Sequence, residues 1–451
     1  MTAAECRRHA DSGSRLAGPP PTPVAGAVRR FLLVLLLCSA GCWRVAGADQ
    51  SLNENDSPAA GVRLEPVLSA RLVTEYDDNV YLQNLGPLAK HGSWINAVMP
   101  VAGVVLRPAD GTDRFRLKLA YEADYRFFHS EPTESYLQHM GVLEFEGSRD
   151  PWQLQTRATV QYTDGSTDSV VWNPPGGIPA LGGYEVRNRR RHFLYQQRLA
   201  VRYELGRFFL RGVYEGRVWD FMIDPKPVPF YQNFVDRDDL NAGPEVGWKP
   251  GEACAWSLGY RIGHQNQAAN PYVPFANAAN TYHRVLVGLD TRAWGWLKLS
   301  GEAGPSIHEF EPGVALPGQA EVATLLYCRA TASLAIGTNT TVSLGTREGL
   351  LPSSAGRAAY ENIAYTGGIE HRFSRVLSAG VSLTVEEYHF LAPVARWDRV
   401  FTPAAKVRCR LDSHLALELR YSFASADSLV PNLDARAYDR HRFGIDFIAR
   451  Y

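Results

Sequence analysis

The chain has 451 residues, with 47 basic and 47 acidic side chains and a hydrophobic fraction of 45%. That balance gives no ground for nucleic-acid binding, which calls for a basic patch or stripe. The length suits two or three soluble domains or one large barrel, and no linker-like break in composition divides it.

Arg29 and Arg30 precede an apolar run over residues 31–40. About ten residues cannot cross a bilayer as a helix, which needs roughly 20. A basic flank, a short apolar core and small residues make a secretory signal peptide. Ala46-Gly47-Ala48 is the cleavage site, so residues 1–48 are read as the leader and residues 49–61 as a short periplasmic segment. A lipoprotein anchored at Cys42 is the alternative, although the usual Leu three residues earlier is missing. Beyond the leader no apolar run approaches 18 residues, so no transmembrane helix is expected.

From residue 62 to the end the chain alternates with period two, the signature of strands with two unlike faces. Phe115, Leu117, Leu119, Tyr121, Ala123, Tyr125 and Phe127 interleave with Arg116, Lys118, Ala120, Glu122, Asp124 and Arg126. Charges at every second position cannot lie against a dry core, but they can line a wet lumen while their neighbours face lipid. The connections alternate between short turns, as at Leu205-Gly206 and Gly337-Thr338-Asn339, and long loops, as over residues 77–93 and 164–190. Eight turns and nine loops predict an all-β, transmembrane antiparallel β-barrel of about 18 strands over residues 62–451, with 16 as the alternative. Short turns are then periplasmic and long loops extracellular. Residues 95–106 are apolar on both faces, and Asp236, Arg237, Asp238 and Asp239 are read as lying above the membrane. Cys254, Cys328 and Cys409 fall among apolar neighbours, as small hydrophobes.

The expected lumen lining is charged: Arg116, Lys118, Glu122, Asp124, Arg157, Arg198, Arg202, Arg211, Glu215, Arg261, Lys298, Glu302, Lys406, Arg408, Arg410 and Arg420. Such a wall either sorts solutes or fills a narrow barrel with cross-strand ion pairs. The cluster Arg187, Arg189, Arg190 and Arg191 is placed at the outer rim, facing an anionic polymer or lipopolysaccharide phosphates. The long loop 163–190, with Trp172-Asn173-Pro174-Pro175-Gly176-Gly177, is either a constriction or an ordinary surface loop. Histidines are scattered, and no G-x-S-x-G, H-E-x-x-H or P-loop signature occurs. No catalytic set, metal or cofactor is therefore expected.

The chain ends on an alternating strand in which Phe443, Ile445, Phe447, Ala449 and Tyr451 share one face. This strand is expected to close the wall against residues 62–74. Such an ending resembles the last strand of bacterial outer-membrane barrels, and the resemblance implies a signal read by the barrel assembly machinery.

The first strand ends in Glu75-Tyr76-Asp77-Asp78-Asn79-Val80-Tyr81. The segment Tyr76-Asp77-Asp78-Asn79 resembles one found early in outer-membrane barrels of the "beta-barrel porin 2" type, which often accompany exopolysaccharide synthesis and export genes. The resemblance implies a porin-like channel in the outer membrane of a Gram-negative bacterium, associated with exopolysaccharide secretion. Its partners would be outer-membrane lipids, lipopolysaccharide, the assembly machinery and polysaccharide export proteins, with no nucleic acid. A general or nutrient-specific diffusion porin and a non-conducting surface scaffold or adhesin are the alternatives. Asp77, Asp78 and Asn79 either hold a turn or bind a divalent cation.

Overall fold

A computed structural model describes residues 61–112, 114–168, 184–224, 226, 233–268, 279–292, 295–311, 320–354, 359–390, 396–428 and 437–451. The leader, its cleavage site, Cys42 and loop residues 172–177 lie outside the described residues.

The alternating segments form strands: β1 (Val62–Asp77), β2 (Ser93–Pro108), β3 (Phe115–Phe128), β4 (Tyr136–Arg149), β5 (Trp152–Asp164) and β6 (His192–Leu205). They continue as β7 (Phe208–Phe221), β8 (Arg237–Gly251), β9 (Cys254–Gln267), β10 (Asn280–Thr291), β11 (Leu297–Phe310) and β12 (Val322–Ile336). The last six are β13 (Thr340–Pro352), β14 (Ala359–Arg372), β15 (Leu377–Phe390), β16 (Arg396–Arg410), β17 (Leu415–Ser428) and β18 (Tyr438–Arg450). Each strand pairs antiparallel with the next in sequence, and β1 pairs with both β2 and β18. The sheet is therefore a closed barrel of 18 strands without a free edge, the form in which every backbone polar group can be satisfied within a bilayer. No described helix is long and apolar enough to cross a membrane. The only described helical pieces are a 3₁₀ turn, Pro132–Glu134, and one short helix, α1 (Tyr184–Asn188).

Period two sorts the side chains. Leu119, Tyr121, Tyr125 and Phe127 stand exposed on the outside of β3, as do Leu258, Tyr260 and Ile262 on β9 and Phe443, Ile445 and Phe447 on β18. This outward apolar face makes the barrel a transmembrane one. Cys254, Cys328 and Cys409 are free thiols on that same parity. Turns are tight where glycine supplies a left-handed residue: Gly206 (φ 64°) and Gly337 (φ 62°) open the β6–β7 and β12–β13 turns.

Strand β18 closes the seam from Ser69↔Arg450 to Asp77↔Arg442. The expected partner region was residues 62–74, and the pairing runs three residues further. Arg237, Asp238 and Asp239, read as lying above the membrane, are the first residues of β8 and are in register with β9, with Asp236 just before them.

Candidate functional site: a charged lumen with a narrowed mouth

The sequence-predicted lining residues all fall on the inner parity of β3, β5, β6, β7, β9, β11, β16 and β17. Lys118, Glu144, Arg157, Arg198 and Glu215 lie directly opposite one another across five consecutive strands. Like charges set opposite each other are unfavourable. The Arg157–Arg198 pair is relieved by its flanks: Arg157 reaches Glu144 at 3.5 Å and Arg198 reaches Glu215 at 3.2 Å. Arg329 of β12, which sequence reading overlooked, bonds Glu302 at 2.7 Å and crosses the interior to Glu215 of β7 at 3.0 Å.

A second network stiffens the closing seam. The buried carboxylates Glu75, Glu418 and Asp446 lie beneath guanidiniums. Glu75 meets Arg126 at 3.4 Å, Arg420 at 3.4 Å and Arg442 at 2.5 Å. Asp446 takes Arg71 and, at 2.8 Å, Arg420, while Glu418 meets Arg408 at 2.6 Å. On the opposite wall Glu245 sits between Arg211 and Arg261.

The motif at the end of β1 stitches the seam to the first long loop. Asp77 is fully buried against Arg440 of β18, and Asp78 accepts the His441 N–H at 2.6 Å. Asn79 donates to the Asp439 carbonyl at 2.8 Å and accepts the Gln83 N–H at 3.0 Å. Tyr76 faces outward against Trp94, their rings 5.3 Å apart. Both carboxylates are thus engaged with β18, as a turn-holding motif requires.

At the long-loop end chain segments fold into the interior. Leu82 of the first loop and Val186 of α1 pack on Tyr360, Tyr388, Phe390, Val400 and Tyr438 from β14, β15, β16 and β18. The segment after α1 is anchored by Glu134. Arg190 grips both its oxygens at 2.8 and 3.0 Å, and Arg189 adds a bond at 2.9 Å and donates to the Val80 carbonyl at 2.8 Å. Arg190 is 0% exposed. This corrects the rim reading of the arginine cluster: Arg189 and Arg190 face neither lipid nor solvent, because a carboxylate from the β3–β4 connection receives them. Burial raises the Glu134 pKa, but Arg189 and Arg190 outweigh it and hold the carboxyl below its usual range. Burial, then the charge of Glu134 and the bond to Glu131, push the Tyr81 phenol well above its ordinary value.

A second piece folds inward from the other side. The loop end of β13, from Leu350 to Pro352, and the two residues after it reach across to β8 and β9. Gln265 donates to the Leu350 carbonyl at 2.9 Å, Arg237 and Gln267 donate to Pro352 and Ser353, and the Ser354 carbonyl accepts the Val235 N–H at 3.1 Å. Behind this dock runs a buried polar relay. Arg284 Nε donates to Ser306 Oγ (3.1 Å), Ser306 bonds His308 Nε2 (2.8 Å), and His308 Nδ1 bonds Asn280 Oδ1 (2.9 Å). Asn280 donates in turn to Gln265 (3.2 Å). The trio has the connectivity of a nucleophile, base and orienter. Ser306 is only 1% exposed, however, and its oxygen already accepts from Arg284. The relay braces the wall under the docked segment.

Three of the cavities between these features are lined by charge. One of about 740 Å³ is lined by Arg217, Arg284, Arg329 and Arg347 together with Tyr327 and Asn362. One of about 600 Å³ lies among Glu144, Arg202, Arg211 and Glu302. The third, about 790 Å³, opens along β13–β18 toward the short-turn end, under Arg372, Lys406, Arg408, Arg410 and Arg420. Among the described residues no group of three or more His, Cys, Asp or Glu side chains could hold a metal ion.

An apolar outer face closed around a wet, charged interior defines the class of this molecule, a transmembrane β-barrel. No family model and no curated protein matches the chain. Among solved structures it is similar to the outer-membrane protein OpdK of Pseudomonas aeruginosa, at 10% identity, covering 86% of this chain and 99% of that one, with TM-score 0.44. It is similar to OccK3 of the same organism at 12% identity, covering 86% and 96%, with TM-score 0.42. It is also similar to OccAB2 of Acinetobacter baumannii at 12% identity, covering 86% and 98%, with TM-score 0.41. At that distance the likeness assigns this chain no solute.

Proposed function

We propose that this protein is a porin-like channel of a Gram-negative outer membrane, with its short turns in the periplasm and its long loops outside. The observation that carries this reading is the interior. A barrel that served only as a scaffold could fill itself with apolar side chains, whereas this one keeps cavities lined by charge. The long-loop mouth is narrowed by two inward-folded segments, and below it the Arg329–Glu215 bridge crosses the interior at mid-strand; together they make the selective part of the path. The resemblance of Tyr76-Asp77-Asp78-Asn79 to porin-2-type barrels supports an association with exopolysaccharide secretion. In this reading Phe443, Ile445, Phe447 and Tyr451 are recognised by the assembly machinery, and the outward face meets lipid and lipopolysaccharide. Reconstitution of the folded protein in planar bilayers tests the proposal. Discrete current steps are expected, and silent bilayers at every voltage would leave the scaffold reading.

A further inference from the structure

We infer that the inner wall of β13–β17 at the short-turn end is a binding track for an acidic polysaccharide that enters from that end. The inference rests on the channel reading and names its cargo. Three observations carry it.

The first is unspent charge. Arg372, Arg375 and Arg410 are exposed around the 790 Å³ cavity and have no acid partner among the described residues. Nearby Lys406 has only the exposed Glu370, at 3.0 Å. On the facing arc Arg157, Arg198, Arg202 and Arg211, higher on the wall, all have carboxylate partners, while the turn-end Arg149 and Arg207 are exposed and have no acid partner among the described residues.

The second is the shape of the wall. Ser343, Gly368, Ser378, Gly380, Ser382 and Ser422 line this cavity. Small side chains leave a trough, and a Cβ at Gly380 would already meet the Lys406 side chain at 3.0 Å. Their hydroxyls offer donors and acceptors to sugar hydroxyl groups. No inward aromatic lies in the trough, which removes the stacking platform that single-stranded nucleic acid needs.

The third is length. Lys406, Arg408 and Arg410 follow at two-residue spacing on β16, about 7 Å apart, and Arg420 lies directly opposite Lys406 on β17. A row of this extent matches repeated anionic groups on a polymer better than one small carboxylate. Within it Arg408 is held by Glu418 and Arg420 by Glu75 and Asp446, so the cations open to a polyanion are Arg372, Arg375 and Arg410, whose attraction reaches over a Debye length, about 10 Å at 0.1 M salt.

The test uses the full chain in planar bilayers, with de-esterified polygalacturonate oligomers as probe and neutral dextran as control. Polygalacturonate added at the turn side is expected to block the current, with weakening block at higher salt. The triple variant Arg372→Glu, Arg375→Glu, Arg410→Glu is expected to need at least about tenfold more probe. Equal block by dextran, by monomeric galacturonate or from the loop side overturns the inference, as does an unaltered triple variant. If no current is seen at all, the channel reading falls, and calorimetric titration of the detergent-folded protein decides the track. Binding that the triple variant loses supports it, and absence of binding refutes it.

Discussion

At the long-loop mouth, Glu134, Arg189 and Arg190 are buried together beside apolar clusters, whereas at the short-turn mouth Arg372, Arg375 and Arg410 stand in solvent with no ion pair among the described residues. Both mouths are rich in arginine, yet the same residue does opposite work. Burial forces pairing, because an isolated charge away from water is too costly to keep. Exposure leaves charge available to a passing solute at little cost. The comparison shows that the counting of basic residues says nothing of function until each is placed against a partner. A buried arginine ties chain segments together, and an exposed one keeps its charge open to solvent.

The largest disruption would remove the wall that both mouths share. Phe447 stands opposite Leu72 on β1 and Leu417 on β17, so the last residues close the barrel. Deletion of Phe447 to Tyr451 opens a sheet edge in the membrane. Loss of the heat-modifiable folded form, and of membrane insertion, is expected on gels of outer-membrane fractions; normal insertion would refute the seam assignment.

Paired substitutions sharpen the comparison directly. Glu134→Gln strands two buried guanidiniums, a change worth about 3–5 kcal/mol, and should release the α1 segment. Larger single-channel conductance is the expected result. Glu370→Gln at the turn end breaks an exposed pair worth about 0–1 kcal/mol, and the conductance step should stay as it was. Equal responses from the two variants would erase the distinction between the mouths.

Much of this architecture was legible in the chain. Period-two alternation placed strands such as β3 and β5, and the rhythm of turns and loops gave their number. That is so because one face meets lipid and the other water along the whole strand. The inward-folded segments were not legible. Glu134 finds Arg190 across 56 residues, and no local period records such a meeting. The arginine cluster therefore read as a rim patch. Arg329 was missed for a different reason: its inner-face neighbours Leu325 and Tyr327 are apolar and disguise the parity. The seam motif was visible as a string of residues, but its partners Arg440 and His441 lie at the far end of the chain.

Acid should undo the loop mouth without any substitution. The arginines hold the folded Glu134 pKa below its ordinary value of 4.5. Its contribution to stability is therefore complete above 4.5 and is lost as pH falls through the depressed folded value. A conductance increase confined to pH below about 4.5, and absent from Glu134→Gln, is the expected signature.

The smallest effect is of opposite sign and also lies at the loop end. Asp236 sits just outside β8, accepts the Phe221 N–H at 2.6 Å, and is pushed up to about 6 chiefly by burial, with backbone bonding opposing and Asp220 adding to the rise. A raised folded pKa stabilises below the unfolded value of 3.8, and that stabilisation is lost as pH rises through about 6. Between pH 7 and pH 5 the β7–β8 connection should therefore tighten, by about 1–2 kcal/mol at most. Hydrogen exchange of the Phe221 and Asp236 amides, corrected for intrinsic rate, should slow as pH falls, and Asp236→Asn should flatten the profile. Exchange that quickened over the same range would place the carboxylate in water and return this connection to the solvent-facing class of the turn end.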